Sequence, residues 1–304
     1  MNKELTVIVI TNTINHIAAV VGRYSFLKHN PELKVKILYM DKDFKKFNEF
    51  DSQKFYRNVS KDKILDKKLC LGEKKRETVG ECSWYKDSLA SFFPMRFLIP
   101  EFVNYKGICF LSEPDIFCLN KLGNLNDYIK PNKKLAAVMQ TGGPGKDLPA
   151  TSVMLFDASK LKEWSFDYLT DFMFKSKKDF NDLMYLKTMY NNNDVTIMPK
   201  EYNDFNNIDE NTILTHMTNS LTQPWKTGLS YTDNDLHNST IKNDEKSTEV
   251  KTFLQSENKN LEKVFFELAS QAYENGYLTK EDIEINIQKK YIREDFFDKM
   301  NEYS

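Results

Sequence analysis

A short apolar run, Gly107-Ile-Cys-Phe-Leu111, ends in Ser112-Glu113-Pro114-Asp115. Unbroken apolar residues bounded by glycine and proline read as a strand buried on both faces, so two carboxylates are delivered into the loop at its C-terminal end. Ligands of open α/β sheets collect at such ends, and carboxylates two residues apart around a proline-fixed turn can converge on one hard cation. Acidic loops after strands are more often solvated turns, and a rival with literal Asp-x-Asp spacing stands at Asp41-Lys42-Asp43. Company favours the first loop. Ile213-Leu-Thr-His216 ends another apolar run in an imidazole, and Pro224-Trp225-Lys226 follows one short loop later. An imidazole beside two carboxylates is a donor set for Mn²⁺ or Mg²⁺, the nitrogen favouring Mn²⁺. His16, His29 and His237 have no such company.

The elements that must position these groups alternate. Thr6-Val-Ile-Val-Ile10 reads as a strand, Ile17, Val20, Val21 and Tyr24 recur at helical spacing, and Val35 to Tyr39 returns to strand character. Phe44 to Arg76 reads as irregular or weakly helical surface. A helix is expected from about Ser83, carrying Leu89, Phe92, Phe93 and Phe97, with Pro94 kinking or restarting it. Further strands are expected at Leu135 to Met139, Val153 to Phe156, Val195 to Met198 and Thr212 to Thr215, with helices near Phe166 to Phe174 and Phe180 to Tyr190. Such alternation predicts an α/β fold with a mainly parallel sheet flanked by helices. Gly142-Gly-Pro-Gly145 reads as a loop between two of the strands. After about Tyr231 the chain turns polar, and helical spacing then resumes from Val250, with a turn at Asn275-Gly276. The expected organisation is a catalytic domain over 1–232 and a helical C-terminal extension over 233–304. The extension's amphipathic face is read as packed on the main domain or as a contact between two copies.

Composition narrows the partners. Lys+Arg number 43 against 44 Asp+Glu in 304 residues, so no global field favours nucleic acid or an anionic membrane. No apolar run approaches the ~20 residues that span a bilayer, and the start lacks a leader pattern, so a cytoplasmic protein is expected. Cys70, Cys82, Cys109 and Cys118 lack metal-finger spacing and read as reduced buried thiols, and the sequons at Asn58 and Asn238 carry no reading there. There is no GxGxxG after the first strand and no GxxxxGK[ST] among ten glycines. Any nucleotide is bound without a glycine-rich phosphate cradle.

Taken in order, Arg96-Phe-Leu-Ile-Pro100, Phe110-Leu-Ser-Glu-Pro-Asp115, Ser152-Val-Met-Leu-Phe-Asp157, Asn181-Asp182, Pro199-Lys-Glu-Tyr-Asn203, His216 and Pro224-Trp225 resemble the GT-A-fold glycosyltransferases. The likeness is to family 8, the glycogenin and lipopolysaccharide galactosyltransferase group, and covers about Leu5 to Thr232. The resemblance implies that Glu113, Asp115 and His216 hold Mn²⁺ (or Mg²⁺) bridging the diphosphate of a UDP-sugar. It implies that Thr11-Asn12-Thr13 meet the nucleoside, that Arg96 faces the donor phosphates or sugar, and that the acid near the sugar is Asp182, or else Asp179. It also implies retention of anomeric configuration, with the acceptor open among glycan, lipid-linked saccharide, protein and small molecule. Departures are plain. Glu113 replaces the family's first Asp, Ala150 and Ser152 stand at an Asn and a Gly, Leu183 at a Gln, Asn219 at a Gly, and Gln223 at the Lys before Pro-Trp; Lys226 is then the cation that could reach the diphosphate.

Two other classes remain beside this one. A binding or scaffold protein on a decayed transferase domain suits the substitutions and the helical tail, although all three ligand types are kept. A sugar nucleotidyltransferase shares the architecture, but Thr11 to Ile14 offers no Arg or Lys for a triphosphate.

Overall fold

Alternate residues of the first strand, Leu5–Thr11, serve two different cores. Ile8 and Ile10 pack with a large aromatic cluster, and Val7 and Val9 with a second cluster around Phe26 and Phe110. A strand whose two faces are both apolar belongs inside a sheet covered on both sides. The computed structural model describes residues 4–59, 78–141, 145–231 and 250–304. Cys70, residues 142–144 of the glycine-rich loop, His237, Asn238 and the boundary near Asp233 lie outside the described residues.

In chain order the strands are β1 (Leu5–Thr11), β2 (Lys34–Tyr39), β3 (Lys54–Val59), β4 (Thr78–Ser83), β5 (Ile108–Ser112), β6 (Ile116–Cys118), β7 (Leu135–Met139), β8 (Pro149–Asp157), β9 (Val195–Met198), β10 (Asp204–Phe205), β11 (Leu214–His216), β12 (Ser230–Tyr231) and β13 (Lys251–Thr252). The helices are α1 (His16–His29), α2 (Met40–Asp43), α3 (Ile99–Phe102), α4 (Phe166–Thr170), α5 (Phe180–Met184), α6 (Lys187–Asn191), α7 (Lys259–Glu274), α8 (Lys280–Gln288) and α9 (Phe296–Glu302). The main sheet has the order β2-β1-β5-β8-β7-β9, and β8 alone runs against the other five. The mainly parallel α/β architecture expected from the sequence is therefore present. Its central strands β5 and β8 are buried at every residue, while the edge strands β2 and β9 alternate with exposed positions.

A second, three-stranded sheet, β10-β11-β6, closes the loop after β5. β6 lies at its edge, and a side chain of α1 supplies an acceptor for the backbone of an edge strand. The Cys118 N–H donates to Ser25 Oγ at 2.8 Å, and Ser25 donates to the Gly22 carbonyl at 2.6 Å. Gly22 itself is a close approach: a Cβ there would stand 3.2 Å from the Ile116 carbonyl oxygen and 3.7 Å from that of Pro114.

Three segments differ from expectation. Phe44 to Arg76 was expected to be irregular or weakly helical surface; Lys45–Phe50 is a 3₁₀ helix, but Lys54–Val59 pairs with β4 as an antiparallel ladder and Phe47 and Phe55 are buried in the aromatic core, while residues 60–76 lie outside the described residues. The expected helix from Ser83 is instead a series of tight i→i+3 turns running from Tyr85 to the 3₁₀ helix Phe93–Phe97. The cause is competition for carbonyls. Those of Ser88 and Leu89, which a helix would consume, accept from the side chains of Asn12 and Asn15 at 2.9 and 2.7 Å, and Pro94 has no N–H to give. The stretch from Phe180 is likewise broken, at Leu186, whose φ of 49° is left-handed.

The C-terminal helices use their apolar faces within the chain. Leu261, Phe265, Phe266 and Ala269 of α7 pack with Val21 of α1, with Phe117 and Trp225, and with Phe296 of α9. The turn at Asn275-Gly276 is present, with Gly276 at φ 73°, and Thr279 with Asp282 forms a capping box for α8. Among the described residues no helix is long and apolar enough to cross a membrane.

Candidate metal centre

Register explains how three residues far apart in sequence meet. β5 ends at Ser112, the chain turns through Glu113-Pro114-Asp115, and β6 then pairs antiparallel with β11 so that Ile116 faces His216. The imidazole is thereby placed beside the residue that precedes Ile116. The same loop is pinned at both ends, since Glu113 N–H donates to the Ser152 carbonyl at 3.1 Å and Met217 N–H to the Asp115 carbonyl at 2.9 Å.

One ligand atom from each of Glu113, Asp115 and His216 lies within 4.8 Å of the others, and among the described residues this is the cluster that could hold a metal. His216 Nε2 is 3.3 Å from Glu113 Oε2 and 3.4 Å from Asp115 Oδ1. A cation with octahedral bonds of about 2.1 Å keeps its ligand atoms roughly 3–4 Å apart, so the spacing fits one ion. A sharper sign is Asp115 Oδ1, a buried carboxylate oxygen that the His216 imidazole alone faces, at 3.4 Å, so a cation that displaces the imidazole proton would satisfy both groups.

The surroundings commit the remaining lone pairs. Arg96, 1% exposed, donates through Nη2 to Glu113 Oε1, through Nη1 to Thr151 Oγ1 at 2.6 Å and through Nε to the Phe93 carbonyl at 2.8 Å. Glu113 therefore keeps Oε2 for the centre. Burial alone would raise the Glu113 carboxyl, but Arg96 and His216 outweigh it and hold it at about 2. Gln223 Nε2 donates to Asp115 Oδ2 at 2.8 Å, leaving Oδ1 facing the imidazole. His216 Nδ1 contacts Asn203 Oδ1 at 2.9 Å, and Asn203 Nδ2 donates to Ser152 Oγ at 2.8 Å. An amide oxygen is an acceptor, so Nδ1 carries the proton and Nε2 presents its lone pair toward the carboxylates when the ring is neutral. Burial alone would lower the His216 pKa; Asp115 and Glu113 outweigh it and lift it to about 9, so without a cation the ring holds a proton. The donor set of two oxygens and an imidazole thus has one fixed counter-charge, Arg96, and one replaceable counter-charge, the His216 proton.

The other expected site residues fall into three groups. Thr11 and Asn12 are buried, and Asn12 donates to the Ser88 carbonyl and to Ser91 Oγ, each at 2.9 Å. Thr13 is engaged with the rival acidic pair: its N–H and its hydroxyl donate to Asp41, while Asp43 accepts from the Tyr39 N–H at 2.6 Å. Those carboxylates are used by local backbone and side chain. Lys226 reaches the centre indirectly, donating at 2.9 Å to Gln223 Oε1 and at 2.9 Å to Asn15 Oδ1. Asp182 sits on α5 with its side chain 42% exposed and paired to Lys187 at 3.2 Å, and Asp179 caps that helix. Neither belongs to the triad. α5 is tied to the centre by its end, where the Met184 carbonyl accepts from Thr151 Oγ1 at 2.8 Å.

Sequence reasoning did not assign roles to Asn203, Asn15, Thr151 or Ser152. Thr151 and Ser152 arrive by register, because β8 runs antiparallel beside β5 with Val153 opposite Ser112. The signal for Asn203 was its place at the end of the Pro199-Lys-Glu-Tyr-Asn203 segment of the resemblance, which assigned it no role.

No protein-family model and no curated protein sequence matches the chain. Several solved structures do. They are glycosyltransferases. The chain is similar to GlyE of Streptococcus pneumoniae TIGR4, at 13% identity over 96% of this chain and 65% of that one, with a TM-score of 0.48. It is similar to the galactosyltransferase LgtC, solved with donor and acceptor sugar analogues, at 10% identity over 94% of this chain and 99% of that one, with a TM-score of 0.46. It is also similar to the bifunctional glycosyltransferase WbbM, at 13% identity over 75% of this chain with a TM-score of 0.42, and it spans 48% of the WbbM chain.

Proposed function

We propose that this chain is a metal-dependent glycosyltransferase that moves a sugar from a nucleotide-diphosphate donor, a UDP-sugar by the family resemblance, to an acceptor nucleophile. The observation that carries the reading is the convergence of Asp115 Oδ1, Glu113 Oε2 and His216 Nε2 at the C-terminal end of a parallel strand. Glu113, Asp115 and His216 hold the cation, Mn²⁺ or Mg²⁺ by their chemistry. Bound there, it supplies Lewis-acid stabilisation of the negative charge that grows on the departing diphosphate.

The chain's own groups do the positioning. Arg96 keeps Glu113 ionised and aimed, Asn203 sets the His216 tautomer, and Gln223 turns Asp115. The β1–α1 loop, with Thr11, Asn12 and Thr13, lies at the end of the strand next to β5 and receives the nucleoside. Asp182 approaches the sugar, and retention of anomeric configuration follows from the resemblance.

The test is calorimetric titration of the purified chain with UDP, with and without Mn²⁺, followed by a screen of UDP-sugars for hydrolysis and transfer. Metal-dependent UDP binding with sugar release supports the proposal. A chain that binds UDP under no metal condition overturns the donor assignment.

A further inference from the structure

Lys226 is a buried cation with no carboxylate at ion-pair distance among the described residues, being 2% exposed. An ammonium taken out of water is costly unless its protons are satisfied. Its partners are the two amide oxygens, Gln223 Oε1 and Asn15 Oδ1, each at 2.9 Å. Ring faces of Trp225 and Phe253 stand 5.8 and 6.0 Å away. Burial pulls its pKa down to about 7, with Asp115 opposing.

A primary amide whose oxygen is claimed by a cation must present its NH₂ elsewhere. Gln223 Nε2 accordingly donates to Asp115 Oδ2 at 2.8 Å and to the Met217 carbonyl at 3.2 Å. Asn15 Nδ2 donates to Asn12 Oδ1 at 2.9 Å and to the Leu89 carbonyl at 2.7 Å. One buried amino group therefore orients two arms through its hydrogen bonds. The first ends on a ligand of the metal centre, and the second on the loop after β1 and the turns that replace the expected helix. A Met at either amide position would remove one arm.

We propose that Lys226 is a positioning residue that holds the acidic loop and the β1–α1 loop in one register through Gln223 and Asn15, without touching the donor. This rests on the reading of the triad as the metal centre of a nucleotide-sugar site. It replaces direct contact with the diphosphate, the role expected for Lys226 from the sequence, by an indirect one.

The experiment separates the two roles because it begins without nucleotide. Mn²⁺ alone is titrated by electron paramagnetic resonance into wild type, Lys226→Met and Gln223→Met. Hydrogen exchange of the Thr13 to His16 amides is then measured in the metal-free proteins. A positioning Lys226 predicts that Lys226→Met weakens Mn²⁺ by about 10-fold or more, the range of outer-shell changes, and speeds exchange in the loop. Gln223→Met, which cuts only the first arm, weakens Mn²⁺ and leaves the loop's exchange as in wild type. Mn²⁺ affinity and loop exchange unchanged in Lys226→Met, with only UDP affinity reduced, make Lys226 a direct ligand and overturn the proposal. If Lys226→Met does not fold, Gln223→Met with wild-type Mn²⁺ affinity overturns it instead. Should wild type bind neither Mn²⁺ nor UDP, the triad's assignment falls, while the exchange comparison still decides whether Lys226 ties the two loops.

Discussion

Asp115 Oδ1 lies 3.4 Å from His216 Nε2 and has no other polar partner, whereas its sister oxygen is held by Gln223. One carboxylate is thus divided between a structural duty and an oxygen met by the His216 imidazole alone. Asp115→Ala removes both. We expect it to abolish Mn²⁺-dependent UDP binding, by more than the ~10–100-fold typical of outer-shell changes. Asp43→Ala, on a carboxylate occupied by the Tyr39 N–H, should bind as wild type. Calorimetry of the two variants side by side checks this, and equal losses would move the centre away from the β5 loop.

The pH dependence of metal binding has a definite sign. In the metal-free protein the His216 pKa is raised from 6.5 to about 9, so over most of the accessible range the ring is protonated. A cation binds the neutral ring, so each binding event expels that proton. Mn²⁺ affinity should therefore rise with pH by roughly tenfold per unit below about 9 and level off above it. Proton release measured by calorimetry in buffers of different ionisation enthalpy tests the same point, and a flat profile between pH 6 and 8 would sink it.

Asn203 shows what could and could not be read from residues alone. The triad was legible because each member ends an apolar run, and strand ends are where an α/β sheet gathers its chemistry. Amides carry no such signature. Which atom of Asn203 or Gln223 faces inward is decided by partners from β8, β11 and the Pro-Trp turn, none of them a sequence neighbour. The same limit explains the missed hairpin β3–β4, whose buried Phe55 sits among charged residues, and the 3₁₀ turns before Arg96, where Asn12 and Asn15 take the carbonyls a helix needs.

That Asn203 role has its own expected outcome. Asn203→Leu leaves the buried His216 Nδ1–H without an acceptor, at a cost of about 1–3 kcal/mol, and frees the ring to rotate. Mn²⁺ affinity should fall about 10–100-fold, and Asn203→Asp, which keeps an acceptor for Nδ1–H, should recover most of it. Mn²⁺ titration by paramagnetic resonance on both variants decides. Equal affinities for Leu and Asp would mean the amide packs without orienting.

Arg96 is tested through stability rather than turnover. It is 1% exposed and paired to a Glu113 carboxylate whose side chain is 9% exposed. Removing one partner of a buried pair typically costs about 3–5 kcal/mol, because the other charge is left uncompensated. Arg96→Met should be destabilised on that scale in denaturant melts, and Arg96→Met with Glu113→Gln by much less. Additive losses in the double variant would show that Arg96 stabilises the fold by packing alone.

The last constraint is steric and comes from α1. Gly22 lets the helix backbone lie against the turn between β5 and β6, where an added Cβ would stand 3.2 Å from the Ile116 carbonyl. Ser25, one turn on, fastens the same strand through the Cys118 N–H. A bulky residue at 22 must push either the helix or the acidic turn, and the turn carries Asp115. Gly22→Leu should therefore lose about 1–3 kcal/mol to overpacking and weaken Mn²⁺ together with stability. Ile283→Ala, on α8 in the cluster of the C-terminal helices, serves as the control: stability falls while the metal affinity of the folded fraction is kept. A Gly22→Leu protein that binds Mn²⁺ as wild type would show that the acidic turn does not depend on the helix at its back.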